Sequence, residues 1–291
     1  MYPAGSTAKE VTEIFLAQLA GEYPPEEIRN FVYILFEHYL KWPRTRLHSD
    51  PGEMLSAGDS ARFFDALDRL KKHEPVQYIT GSVWFRNAGI RVRPGVLIPR
   101  PETEQLVDLV IRENRAYDPE TLSFLDAGTG SGCIAIALKM EFPQAAVYGS
   151  DTSEAALGIA RENVSLNKVT VDLIRSDLTS PGEWERMPSV CRIVCNPPYI
   201  PESEKKRIRP NVLEYEPASA LFVPDEDPLR FYRALAEFAR MRMLRPGILY
   251  AEINEDFGEA VRNLLEANGF AGARIEKDLN GKDRFAVAAL K

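Results

Sequence analysis

The sequence predicts an α/β protein, a seven-stranded, mostly parallel sheet preceded by a small N-terminal helical bundle. Three observations carry this. From Pro101 onward, apolar runs of strand length alternate with amphipathic helical stretches, the pattern of a parallel sheet covered on both faces. Residues 1–75 show helical periodicity alone. A glycine cluster at Gly128, Gly130 and Gly132 falls between a strand and a helix, and sheets of this kind bind ligands at the carboxyl ends of their strands.

Length and composition agree with that class. A chain of 291 residues exceeds one average domain, and 45% hydrophobic with 27% charged residues excludes a disordered or fibrous chain. The expected organisation is a helical bundle at 1–75, a β-hairpin linker at 76–99 and an α/β domain at 100–291. A net charge of -7 lacks the basic field of a protein that grips phosphates, so no direct nucleic-acid binding is expected. Cys133, Cys191 and Cys195 are too few for a disulfide framework and lack zinc-site spacing. They read as small buried apolar residues in a reducing compartment, and no metal is expected. The opening MYPAGSTAKEVTEIF has no basic start followed by an apolar run, and no segment reaches the roughly 18 apolar residues of a membrane span. The expectation is a cytoplasmic protein without a membrane partner.

The elements follow in order. Val11 to Ala20, Pro25 to Tyr39 and Ser60 to Leu70 each place apolar side chains on one helical stripe, separated by loops rich in Pro, Gly and Asp. Tyr78-Ile79 and Val83-Trp84-Phe85 face Ile90-Arg91-Val92 across Asn87-Ala88-Gly89, a hairpin with a short loop. Strands are expected at Leu122 to Ala127, Ala146 to Ser150, Val171 to Arg175, Arg192 to Cys195, Ile248 to Ile253, Arg274 to Lys277 and Phe285 to Leu290. Helices are clearest at Glu154 to Asn167, Leu229 to Leu244 and Phe257 to Asn268. The last two strands, joined through Asn280-Gly281 without a helix, imply an antiparallel edge.

The loop Gly128-Thr129-Gly130-Ser131-Gly132 opens the helix Ile134 to Lys139, and its glycines let a ligand approach the backbone closely. Glycine spacing alone fits either a dinucleotide or another adenosine cofactor. Asp151 ends the next strand about 20 residues on, where an acid reaches ribose hydroxyls; the alternative is a cap for the helix starting near Ser153. Asp177 and Leu178 close the third strand in the same layer and suit the edge and face of an adenine ring, or a plain turn.

Asn196-Pro197-Pro198-Tyr199 ends the buried run Ile193-Val194-Cys195. Proline cannot extend a ladder and restricts the residue before it, so Asn196 is held rigidly. An amide nitrogen is a poor nucleophile because its lone pair is conjugated, by roughly 18–20 kcal/mol in a peptide. Two fixed acceptors, the Asn196 side-chain oxygen and the Pro197 carbonyl, can take both N–H bonds of such an amine and stabilise developing positive charge. Tyr199 offers a flat face to a planar substrate. A hydride-transfer enzyme has no use for paired acceptors, and all three histidines fall in the N-terminal region, which leaves a nicotinamide-dependent oxidoreductase as a remote alternative. A binding module without catalysis is a further one.

At these residues the chain resembles the protein-glutamine methyltransferases of the HemK or PrmC type, which modify peptide chain release factors. The likeness extends to Glu74-Pro75-Val76-Gln77-Tyr78-Ile79-Thr80-Gly81, Pro94-Gly95-Val96-Leu97-Ile98-Pro99-Arg100-Pro101-Glu102-Thr103-Glu104, Tyr215-Glu216-Pro217 and Lys277 to Arg284. It implies the class I S-adenosylmethionine-dependent methyltransferase fold, with S-adenosylmethionine on Gly128 to Gly132 and at Asn196, ribose contact by Asp151 and adenine contact near Asp177 and Leu178. It further implies substrate glutamine, from the Gly-Gly-Gln motif of a release factor, on Asn196, Pro197, Pro198 and Tyr199, with the bundle docking that partner. Asn254-Glu255-Asp256-Phe257 departs from the family pattern, lacking an expected Gln. The rival acceptor is an exocyclic amine of adenine or guanine in RNA or DNA. Lys205-Lys206-Arg207 and Arg209 favour that rival, whereas Glu202, Glu204, Glu214 and Glu216 around them favour a solvated loop.

Overall fold

The structure, a computed structural model, describes Gly5–Lys291; the first four residues, part of the stretch read above for a leader, lie outside the described residues. It divides into two compact units, one running to Gly81 and including Arg209–Tyr215, the other made of Ser82–Ile208 and Glu216–Lys291.

The first unit is helical: α1 (Ala8–Leu19), α2 (Pro25–Leu40), α3 (Arg44–Ser49), α4 (Ala57–Leu70) and α5 (Val76–Thr80). Thr7 and Glu10 form a reciprocal capping box that starts α1, and Pro25 sits in the first turn of α2, where a missing N–H costs nothing. The apolar stripes meet in one core containing Phe15, Leu35, Phe36, Phe63 and Leu67, with the Phe36 and Phe63 ring centroids 4.3 Å apart. Tyr78 and Ile79, expected in a strand, lie in α5 instead. Pro75 provides its extended N-cap, Thr80 Oγ1 bonds back to the Val76 carbonyl, and Gly81 ends it at φ 70°. The unit therefore closes at Gly81 rather than at residue 75.

The second unit begins with the hairpin β1 (Ser82–Phe85) and β2 (Ala88–Arg91). Its turn falls on Arg86-Asn87, one step before the expected loop, because Ala88 and Gly89 continue the ladder opposite Phe85 and Trp84. Then follow α6 (Pro101–Asn114), β3 (Ser123–Ala127), α7 (Cys133–Glu141), β4 (Ala146–Asp151), α8 (Glu154–Leu166), β5 (Asp172–Arg175), β6 (Val190–Cys195) and β7 (Ile200–Pro201). After α9 (Pro210–Leu213), which counts with the first unit, come β8 (Phe222–Val223), α10 (Arg230–Arg242), β9 (Met243–Glu252), α11 (Gly258–Ala267), β10 (Ala271–Lys277) and β11 (Asp283–Leu290). Within the first unit Arg209 forks onto Glu27 at 3.0 and 2.9 Å, and Tyr215 Oη donates to the Lys72 carbonyl.

The seven-stranded sheet runs β10-β11-β9-β6-β3-β4-β5, with β11 antiparallel to both neighbours and the remaining pairs parallel. From β3 the chain steps outward to β4 and β5, then crosses back to β6 on the other side of β3, so the carboxyl end of β3 is the switch point of the sheet. Helix α6 is an element the periodicity reading did not single out. Its start is nonetheless written in Pro101 at the first turn, followed by Glu102 and Glu104 near the positive end of the helix dipole. Among the described residues no helix is long and apolar enough to cross a membrane.

Candidate functional site

The glycine loop leaves β3 beside the ends of β4 and β6. Gly128 and Thr129 both donate their N–H to the Ser150 carbonyl at 2.8 Å, stitching the loop to β4. Gly128, Gly130 and Gly132 have φ of 79°, 53° and 84°, the left-handed region that disfavours side chains. A Cβ at Gly128 or Gly130 would meet nothing within 4 Å, so these positions present open backbone, whereas at Gly132 it would meet Ala160 Cβ at 3.3 Å. The loop's anchor is Asp126. Fully buried, it accepts through Oδ2 from Thr129 Oγ1 at 2.6 Å and from the Ala135 N–H at 3.2 Å, and burial pushes its carboxyl up to about 7. Ser131 is held through its carbonyl, which accepts from Asn163 Nδ2 at 2.9 Å.

Asp151 ends β4 with one carboxylate oxygen on the Gly130 N–H and the other on the Ser153 N–H, both at 2.9 Å. It thus holds the loop and the entry to α8 together, and each oxygen keeps a second lone pair. Burial raises its carboxyl above the ordinary range. The next turn packs into the same layer, with the Ser176 N–H on the Asp151 carbonyl. Asp177 spends its carboxylate on Thr179 and Ser180, and the Leu178 carbonyl accepts from Trp184 Nε1. What this turn leaves to a ligand is backbone and the partly buried Leu178 side chain.

On the other side of β3, pairing of Ala127 with Cys195 brings Asn196 level with Gly128. Pro197 is buried, and Pro198 and Tyr199 are partly so. Asn196 Nδ2 donates to Thr103 Oγ1 at 2.9 Å, and Thr103 Oγ1 donates to Glu252 Oε2 at 2.8 Å. The second oxygen of Glu252 accepts from Tyr199 Oη at 3.0 Å, while its backbone carbonyl accepts from Tyr232 Oη. Asn254, at the departure from the family pattern, donates through Nδ2 to the Tyr199 carbonyl at 3.3 Å. Glu252 is 1% exposed, and burial raises its carboxyl. Burial also lifts the Tyr199 phenol, with the Glu252 charge beside it adding to the effect.

The predicted residues therefore gather around one strand end: the loop from β3, Asp151 from β4, the Asp177-Leu178 turn from β5 and Asn196 to Tyr199 from β6. Pattern reading missed Asp126, Asn163, Thr103 and Glu252. Glu252 carried a signal, a carboxylate closing an apolar strand, the same kind of signal that picked out Asn196. Of the cysteines, Cys133 and Cys195 are buried, and burial pushes the Cys133 thiol up to about 12, which leaves it inert. Cys191 is only half-buried, contrary to expectation, and its sulfur accepts from the Ser123 N–H at the start of β3. In the basic segment, Lys205 pairs with Glu202 at 2.8 Å.

A family model described as PrmC N-terminal domain matches residues 11–81, and one described as Methyltransferase small domain matches residues 110–215. A release factor glutamine methyltransferase of Bacteroides thetaiotaomicron is 43% identical over 279 residues, 96% of this chain and 98% of its own length. One of Flavobacterium psychrophilum is 40% identical over 93% of this chain and 94% of its own. Among solved structures, a 16S rRNA N2 G1207 methyltransferase of T. Thermophilus in complex with AdoMet and guanosine superposes with a TM-score of 0.51 at 18% identity, covering 72% of this chain and 50% of that one. A methyltransferase from Pyrococcus furiosus gives 0.51 at 16% identity over 80% and 98%. These last two likenesses are of fold.

Proposed function

The chain belongs to the release factor glutamine methyltransferases, and from that premise we propose that it moves a methyl group from S-adenosylmethionine to the side-chain amide nitrogen of the glutamine in the Gly-Gly-Gln motif of peptide chain release factors. The observation that carries this reading is Asn196, tethered by its Nδ2 at the end of β6, level with an open glycine loop on the adjacent strand.

The residues present fit the cofactor. Two glycines present bare backbone where a side chain would stand, and Asp151, fixed by two N–H groups, retains lone pairs for ribose hydroxyls. Gly128, Thr129, Gly130, Ser131 and Gly132 would hold its chain, Asp177 and Leu178 would flank its adenine, and Asn196 would border its reactive end. When bound, S-adenosylmethionine supplies a methyl group made electrophilic by a sulfonium.

The chain's own part is to bind and aim. With Nδ2 committed to Thr103, Asn196 has Oδ1 to offer one N–H of the glutamine amide. The Pro197 carbonyl takes the other, and the proline ring restrains the backbone that carries it. Both oxygens stabilise the positive charge that grows on nitrogen during transfer, a preorganised effect that acts more strongly in the transition state than before it. Tyr199, its hydroxyl held by Glu252, presents its ring in a fixed plane. An N-alkylated, charged amide is strongly acidic and surrenders its proton to solvent, so no side-chain base is required. The helical unit, similar to the PrmC N-terminal domain, docks the release factor.

Asn196→Ala tests the reading. Transfer of labelled methyl to a Gly-Gly-Gln peptide or an intact release factor should fall by about 100-fold or more. Circular dichroism of the variant should match the wild type. Unchanged turnover refutes the assignment.

A further inference from the structure

The tether on Asn196 implies a device for choosing the substrate. We propose that Thr103 and Glu252 are positioning residues that fix which end of the Asn196 amide faces the substrate, so that the site accepts a side chain carrying N–H and rejects an acceptor-only side chain of the same shape. The inference rests on the reading of Asn196 given above.

Glu252 is buried, and both its oxygens are occupied, Oε2 by the Thr103 hydroxyl and Oε1 by the Tyr199 hydroxyl. A carboxylate only accepts, so both hydroxyl hydrogens point at it. Burial, the largest influence, and Glu102 from α6 raise the Glu252 carboxyl, while the two hydroxyls and then Arg284 from β11 act the other way and favour the ionised form. Threonine has a single hydroxyl hydrogen. Once Glu252 takes it, Thr103 Oγ1 offers Asn196 only lone pairs, and at 2.9 Å Asn196 must answer with its NH₂. The reversed amide would set two oxygens against each other with no hydrogen between them. Asn196 Oδ1 is thereby turned away from Thr103, and the neighbouring Pro197 carbonyl is likewise an acceptor. Two acceptors side by side recognise an NH₂, and both are left without a hydrogen-bond donor when the CH₃ of a ketone stands in its place. A site built to satisfy a specific donor discriminates strongly because its own polar groups go unpaired otherwise.

Full-length wild type, Thr103→Val and Thr103→Ser are compared for binding of two peptides, one with Gly-Gly-Gln and one in which the glutamine NH₂ is replaced by CH₃. Wild type is expected to favour the amide. In Thr103→Val, which keeps the shape but loses the hydroxyl, that preference should drop by about tenfold, and Thr103→Ser should restore it. A purely structural role would weaken both peptides alike, so equal weakening overturns the proposal, as does a preference left intact in Thr103→Val. Should the valine variant fail to fold, the wild type decides. Its Asn196 side-chain NH₂ should give one slowly exchanging proton by nitrogen-resolved NMR, and two freely exchanging protons overturn the tether. A wild type that methylates no amide peptide fails the underlying reading; a wild type that does so beside a Thr103→Val that keeps the full preference fails this inference alone.

Discussion

Asp126 holds the glycine loop through one oxygen, while its other oxygen finds no partner in the protein. Burial raises its carboxyl to about 7, against an ordinary value of 3.8 in the unfolded chain. The sign follows directly: the stability it contributes is complete below the unfolded value and is lost as pH climbs through the folded one. Wild type should therefore lose stability relative to Asp126→Asn between about pH 4 and pH 8. Urea midpoints for the two proteins across that range check it, and a constant difference would contradict it. Asparagine keeps an acceptor for Thr129 and Ala135 without the charge, so the comparison isolates ionisation.

At the scale of elements, the glycines in and beside the loop divide into two kinds. Those facing ligand space are open: Gly130→Ala would meet no atom, yet at φ 53° it should cost about 1–2 kcal/mol of backbone strain and weaken S-adenosylmethionine binding by blocking close approach. Those facing protein are packed. A Cβ at Gly149 in β4 would stand 2.8 Å from Thr129 Oγ1 and 2.9 Å from Leu173 Cδ2. Gly149→Ala should cost about 1–3 kcal/mol by overpacking and push Thr129 off Asp126. Denaturation midpoints with calorimetric titration of the cofactor separate the two: Gly130→Ala should lose more affinity for a given loss of stability. Helix α6 belongs to this scale too, because its first turn delivers Thr103 while Glu104 accepts from the Arg86 N–H of the hairpin turn.

Over the whole molecule, two cores are built separately, each with its own set of buried side chains. Phe63 is fully buried among the helices of the first unit, so Phe63→Ala should cost about 3–5 kcal/mol there. If that unit docks the partner, methyl transfer to intact release factor should suffer more than transfer to a short Gly-Gly-Gln peptide. Parallel kinetics with both substrates check this, and equal losses would argue against a docking role. The pair of Arg209 with Glu27 joins the 209–215 segment to that unit, but the Arg209 side chain is 52% exposed and that of Glu27 26%, so it contributes less than about 1 kcal/mol.

By itself the sequence determined what local chemistry can encode. Periodicity wrote the alternation of strands and helices, glycines wrote the left-handed loop at Gly128 to Gly132, and the double proline wrote the stiff turn at Asn196, because φ preferences and side-chain spacing belong to a few neighbouring residues. Only the tertiary structure decided that Tyr78 and Ile79 join a helix, that Arg209–Tyr215 pack with the first unit, and that Thr103 meets Glu252 across 149 residues of chain. Hydrogen-bond partners and the cost of burying a charge are settled by what folding brings together, and no local pattern specifies them.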